Sequence, residues 1–223
     1  MVLNGPFAGL KYPGFSSFGS AIYPKILGSY EKEIHSFLDT IFSKNYDSVI
    51  DIGSAEGYYS VGFAKKSFFS NKVVAVDINE DALILLKSIA ALNEVEHKIE
   101  TMNKIDFKQL GEMCSGKNNF IFCDCEGFEK EVFNMHNIQA LRNSDLLIEI
   151  HDAKVHYVSK YIEQLFNESH RISRVSSTDD IQKLNSYQYP EMIGLSDAAK
   201  IKILSEGRGS IQEWFFIEAK QKL

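Results

Sequence analysis

Val49-Ile-Asp-Ile-Gly-Ser-Ala-Glu-Gly57 is a short β-type run that ends in a glycine-containing turn. From Tyr58 to about Phe69 the chain carries helical spacing, and Lys72-Val-Val-Ala-Val76 is a second apolar strand. Strand, turn, helix and strand make a βαβ unit. Outward from this unit the alternation continues. Asn79 is placed to cap a helix in which Leu83, Leu86, Ile89, Ala90 and Leu92 recur, with Glu80 and Asp81 at the positive end of its dipole. Lys98-Ile-Glu-Thr-Met102, Asn119-Phe-Ile-Phe-Cys123 and Asp145-Leu-Leu-Ile-Glu-Ile150 read as strands, with helical stretches at Phe107–Met113 and Lys130–Met135 between them. Val155–Phe166 reads as a helix, Arg171–Ser176 as a strand and Gln212-Glu-Trp-Phe-Phe-Ile217 as a last strand. Strands this apolar belong in a sheet covered on both faces, and right-handed crossovers put helices there. The expected class is α/β: a Rossmann-like, mostly parallel, seven-stranded sheet.

Residues 1–28 hold three of the four prolines (Pro6, Pro13, Pro24) and five glycines, so little regular structure is expected there. Ser29 then offers an N-cap to a helix marked by Tyr30, Ile34, Phe37, Leu38, Ile41 and Phe42. This divides the chain into an arm or lid with one helix (1–45) and the α/β domain (46–223), the whole making one compact unit. Residues 178–210 are irregular or helical and are candidates for shaping a substrate pocket.

The composition is that of an ordinary globular chain, with 44% hydrophobic and 24% charged residues. Thirty acidic and 24 basic side chains leave a net charge of −6, which disfavours non-specific binding to nucleic acid or an anionic membrane. No apolar run is long enough to cross a bilayer, and the N-terminus lacks the pattern of a secretory signal, so a cytoplasmic location is expected. Cys114, Cys123 and Cys125 are odd in number and poorly spaced for a disulfide framework; they read as reduced thiols that pack in the core.

In an open α/β sheet, ligands bind beyond the carboxyl ends of the strands, where glycines admit close backbone approach. Asp77, twenty residues after Gly57, closes the second strand, where its carboxylate can accept from both hydroxyls of a ribose. The cofactor is therefore expected to carry adenosine. A dinucleotide fingerprint fails, because Ala55 and Tyr58 stand where glycines are required. A phosphate loop from Gly57 fails at Phe63 and Ala64, and Gly111–Lys117 is one residue short of one and precedes its strand.

Asp51-Ile-Gly-Ser-Ala-Glu-Gly-Tyr-Tyr-Ser60 with Val76-Asp-Ile-Asn79 resembles the first two motifs of class I S-adenosylmethionine (SAM) methyltransferases. Asp124-Cys-Glu-Gly-Phe-Glu129 and Leu147-Ile-Glu-Ile150 resemble, more narrowly, the FkbM-type branch. The resemblance spans about residues 46–152 and departs at Ala55, where the wider superfamily often has glycine. It implies that Gly53, Ser54, Ala55 and Gly57 pass beneath the methionine part of SAM, and that Asp51 orders the loop or the cofactor ammonium. It implies further that Asp77 holds the ribose and that Ile78 lies on the adenine, with Asn103, Lys104 or Asp106 near the adenine edge. Gly28-Ser-Tyr-Glu31 resembles a segment that covers SAM in related proteins, which adds Tyr30 and Glu31 to the expected cofactor contacts.

Methyl transfer from a sulfonium requires collinear nucleophile, carbon and sulfur, and exclusion of water. A hydroxyl acceptor must also lose its proton, which calls for a base or a metal. Two clusters meet the need: Asp124 and Glu126 after the fourth strand, and Glu149, His151 and Asp152 after the fifth. His151, with an ordinary pKa near neutrality, is the preferred base. The alternative is one Mg²⁺ held through carboxylates such as Asp124, Glu126 and Asp152. His156 and His170 read as structural, Trp214 as core and Arg208 as a surface residue. Asp124-Cys-Glu-Gly differs from the Asn/Asp-Pro-Pro-Tyr/Phe pattern of nucleic-acid amino methyltransferases, which with the net charge argues against a DNA or RNA substrate. The expected activity is O-methylation of a carbohydrate or small natural product, with no nucleic acid or membrane partner. Alternatives are N-methylation of a protein or small amine, and a non-catalytic SAM-binding module.

Overall fold

The computed structural model describes residues 1–66 and 68–220. Seven strands form one sheet in the order β3-β2-β1-β4-β5-β7-β6. The strands are β1 (Val49–Ile52), β2 (Val73–Val76), β3 (Ile99–Met102), β4 (Phe120–Cys123), β5 (Asp145–Ile150), β6 (His170–Ser176) and β7 (Glu213–Ala219). β1 to β5 run parallel, and β7 inserts antiparallel between β5 and β6. The strand order reverses between β1 and β4, so a crevice opens at their carboxyl ends.

Alternation along the central strands supplies both core layers. Val49, Phe120, Phe122, Leu147, Trp214 and Phe216 point to one face, where Tyr58, Phe63 and Phe68 cover them. Ile50, Ile52, Ile121, Cys123, Leu146, Ile148 and Phe215 point to the other, beneath Leu110, Phe133, Ile162 and Phe166. The first layer also takes in Val2, Phe7 and Leu10 from the amino-terminal segment. Gly62 makes room for this: a Cβ there would lie 2.5 Å from the Phe7 ring.

The helices are α1 (Ile22–Leu27), α2 (His35–Phe42), α3 (Tyr58–Ala64), α4 (Glu80–Leu92), α5 (Phe107–Cys114), α6 (Glu129–Val132), α7 (Ile138–Leu141), α8 (Val158–Phe166), α9 (Asp180–Ser186) and α10 (Asp197–Leu204). Asn79 caps α4 as expected, accepting from the amides of Asp81 and Ala82. Several helices differ from the sequence reading: α6 ends at Val132 where Met135 was expected, and α7 lies in a stretch read as no helix. The helix expected from Ser29 starts only at His35, after a short 3-10 turn, because Glu31 adopts a left-handed φ of 49°. Tyr157, with φ 63°, likewise delays α8 to Val158. α3 ends at Ala64, and residue 67 of its expected extension lies outside the described residues. The 178–210 stretch forms α9 and α10, and its Tyr187, Met192 and Leu204 pack with Leu27 of α1. Among the described residues no helix is long and apolar enough to cross a membrane.

Candidate active site

The crevice at the ends of β1, β2 and β4 encloses about 320 Å³. Gly53 and Ser54 leave β1 by donating to the carbonyl of Val76, at 2.8 and 3.0 Å. Gly53 has φ 86°, and a Cβ on it would stand 1.7 Å from the carbonyl oxygen of Asp124, so no other residue fits where the β1 loop crosses the end of β4. Ala55 follows at φ 46° and Glu126 at 57°. Among the described residues, two of the five non-glycine residues with positive φ line this crevice, strain of the kind that functional sites hold.

Ser54, Ala55, Asp77, Ile78, Lys104, Asp124 and Glu126 line the crevice, closed on one side by Tyr30, Tyr58 and residues of the amino-terminal segment. Asp77 accepts the Ala55 N–H at 2.7 Å through Oδ2 and the Asn79 N–H at 2.8 Å through Oδ1. Each oxygen keeps a second lone pair for a ribose hydroxyl. Ile78 is 81% exposed at the lip, an apolar surface suited to an adenine face. The Ser54 hydroxyl is buried and has no partner among the described residues. Backbone cradle, free hydroxyl, carboxylate and apolar lip fit SAM.

Other expected cofactor residues lie off this wall. Asp51 is fully buried beneath the loop, where it accepts a hydrogen bond from Ser60. Burial pushes its pKa up to about 7, against the Ser60 hydrogen bond and with a push from Asp124 and Asp77. Its place is to order the loop. Asn103 turns away and donates to Glu80 at 3.2 Å. Gly57 (φ 90°) serves the turn into α3, where a Cβ would meet Leu86 at 2.6 Å. Tyr30 does line the crevice, edge-on to Tyr58. Glu31 points instead to the acceptor side, buried, accepting from Tyr59 and paired with Arg208.

β4 and β5 are neighbours, with Cys123 opposite Ile148, so the residues after them converge. His151 Nδ1 lies 2.6 Å from Glu129, and Nε2 lies 3.3, 3.4 and 3.5 Å from Asp124, Glu126 and Glu149. Burial alone would discharge the ring, but the nearby carboxylates of Asp124, Glu129 and Glu149, with Glu129 hydrogen-bonded at Nδ1, outweigh it and push the pKa up to about 12. The shift favours the imidazolium, which argues against the expected part of His151 as a neutral base. Burial opposes ionisation of Asp124 too, yet contact with His151 keeps its pKa below the ordinary carboxylate value. Burial and the Asp124 charge raise that of Glu149. Asp152 does not join the cluster: it accepts from the N–H and hydroxyl of Ser159 in the first turn of α8. Ligand atoms close enough for one cation come from Asp124, Glu126 and His151, or from Glu31, Asp124 and Glu149.

Arg208, expected at the surface, is instead a hub. Its guanidinium meets Glu31, Glu149 and Glu206, the last at 2.9 Å, and Glu206 also pairs with buried Lys183 at 2.6 Å. This ties the 178–210 stretch to the ends of β5 and the 28–34 segment. Glu129 was visible in its motif but carried no role until its contact with His151. Lys25 and Glu56, a fully buried pair at 2.6 Å, gave no signal in sequence.

The TRM5/TYW2 methyltransferase domain profile matches residues 29–171, which includes the loop after β1, Asp77 and the whole His151 cluster. The chain belongs to the TRM5/TYW2 methyltransferase domain family. It is a SAM-dependent methyltransferase, as the class I motifs implied. No curated protein matches the sequence. Among solved structures, an rRNA methylase from Streptococcus thermophilus aligns with a TM-score of 0.54 at 15% identity, over 85% of this chain and 97% of that one. A precorrin 8W decarboxylase from Methanobacterium thermoautotrophicum gives 0.52 at 8%, over 84% and 90%. A SAM-dependent O-methyltransferase from Thermotoga maritima gives 0.50 at 12%, over 86% and 67%. At such identities these structures establish the fold. The TRM5/TYW2 family acts on tRNA, which overturns the expectation of no nucleic acid partner. The reason is physical: a net charge of −6 averages over the whole surface, whereas a partner reads local charge, and lacking one base-stacking motif excludes only one mode of recognition.

Proposed function

We propose that the chain transfers the SAM methyl group to a hydroxyl oxygen, with a carbohydrate or small natural product as acceptor. One observation carries this reading: Asp124 lines the cofactor crevice and stands 3.3 Å from His151, joining the two halves of the site. SAM, when bound, supplies an electrophilic methyl group on a cationic sulfur. Asp77 and the 53–55 backbone would orient the cofactor, and Tyr30 and Tyr58 would shield it from water. An attacking hydroxyl becomes strongly acidic as its new bond forms, so a weak base suffices provided that it is ionised and close. Asp124, kept ionised by His151, meets both conditions. His151 then neutralises the carboxylates around it and fixes their positions. The FkbM-type likeness of Asp124–Glu129 supports this acceptor class.

A second reading, transfer to RNA, is supported by the family match to residues 29–171. The experiment is methyl transfer from radiolabelled SAM to a panel of oligosaccharides, sugar nucleotides, phenolic natural products and their deoxy counterparts, with tRNA as a parallel arm. Labelling that disappears with the deoxy compounds supports the hydroxyl reading; labelling of tRNA alone supports the second. Parallel assays with and without a chelator address Mg²⁺.

A further inference from the structure

We infer that Lys25, from the amino-terminal segment, is the cation that receives the carboxylate of the amino-acid end of SAM. The inference rests on SAM as cofactor and not on the acceptor.

The argument begins with polarity. SAM brings an ammonium and a sulfonium, which the wall's Asp77, Asp124 and Glu126 attract, but also a carboxylate, which they repel, so that end of the cofactor calls for a cation of its own. Lys25 and Lys104 are the basic residues on the wall. They stand at opposite ends. Lys104 follows β3, the sheet edge beyond β2, on the same side as Asp77 and Ile78, where the nucleoside belongs. Lys25 lies at the other end: its ammonium is 5.5 Å from the ring centre of Tyr58, the first residue of α3, and 5.0 Å from that of Tyr30. With the ribose on Asp77, the amino-acid tail extends along the 53–55 backbone toward that end.

Lys25 is also built to wait there. It is 3% exposed, and its ammonium has three donors. Glu56 takes one at 2.6 Å and Ser17 another at 3.2 Å; among the described residues the third has no acceptor. Glu56 is held by further donors, the Ser17 hydroxyl at 2.8 Å and the Phe18 N–H at 3.0 Å. Glu56 thus stabilises a buried lysine without using up its hydrogen bonds, and the contacts order residues 17–25 over the crevice.

The test compares SAM with decarboxylated SAM, which keeps the sulfonium and the amine but lacks the carboxylate. Calorimetric titration gives the ratio of their dissociation constants in the wild type, in Glu56→Gln and in the paired Lys25→Gln/Glu56→Gln variant. A charge-assisted hydrogen bond corresponds to a preference for SAM of roughly tenfold to a hundredfold in the wild type. The ratio should grow in Glu56→Gln, where the competing carboxylate is gone, and fall to about one in the paired variant. A paired variant with native circular dichroism and an unchanged ratio overturns the inference. Should that variant fail to fold, Glu56→Gln still decides: a ratio that stays or shrinks overturns it. Wild-type protein that binds neither compound defeats the cofactor assignment itself, a result distinct from a ratio of one.

Discussion

Asp77 Oδ2 accepts the N–H of Ala55 at 2.7 Å, so the carboxylate proposed to hold the ribose also holds the strained loop proposed to carry the methionine. The two parts of the cofactor site are therefore one unit. Asp77→Ala should remove ribose contacts and loosen the loop together, weakening SAM about a hundredfold or more, since each charge-assisted bond contributes about 1.5–3 kcal/mol. Ala55→Gly should do the opposite to the strain. It relieves a left-handed φ at a cost in chain entropy, for a net gain of up to about 1 kcal/mol in chemical denaturation, with SAM affinity held within about threefold.

The legibility of these residues follows from where their information lies. β5 begins and ends where the sequence placed it, Asp145 to Ile150, because apolar residues bounded by breakers need no distant partner to be read. Gly53 and Asp77 were legible for a like reason: each sits at a fixed offset from a strand end. Arg208 was not. Its partners Glu31 and Glu149 lie 177 and 59 residues away, and nothing local separates a buried guanidinium from an exposed one. The position of His151 is legible but its charge is not, because that charge depends on four carboxylates brought in by two strands and a helix.

The Arg208 hub has a sharp stability signature. Arg208→Met would leave Glu31, Glu149 and Glu206 facing one another without their shared cation. Removing one partner of a buried ion pair costs about 3–5 kcal/mol, so urea denaturation should show a loss of that order. Arg208→Lys restores the charge without the planar fork and should recover only part of it.

Asp51 gives a pH signature. Its folded pKa is raised to about 7 from an ordinary 3.8, so the folded chain holds this proton over a range in which the unfolded chain has lost it. The stability it contributes is complete below about pH 4 and is lost as pH rises through 7; at about 1.4 kcal/mol per pKa unit, the loss is on the order of 4 kcal/mol. Asp51→Asn keeps an acceptor for Ser60 and cannot ionise. Its stability should be flatter than wild type between pH 4 and 7.5, and higher at the upper end, by thermal unfolding across that range.

Asp124 and Asp152 lie close to His151 in sequence or in space, yet they should separate cleanly. Asp124 touches both the crevice and His151, so Asp124→Asn should lower kcat by about a hundredfold or more, the usual contribution of a positioned acid or base. Its SAM affinity should change far less. Asp152 only serves the first turn of α8 through Ser159. Asp152→Ala should therefore cost about 1 kcal/mol of stability, as lost caps do, and leave kcat near wild type. A large kcat effect at Asp152 with none at Asp124 would move the chemistry from the end of β4 to the loop after β5, and with it the direction from which the acceptor approaches.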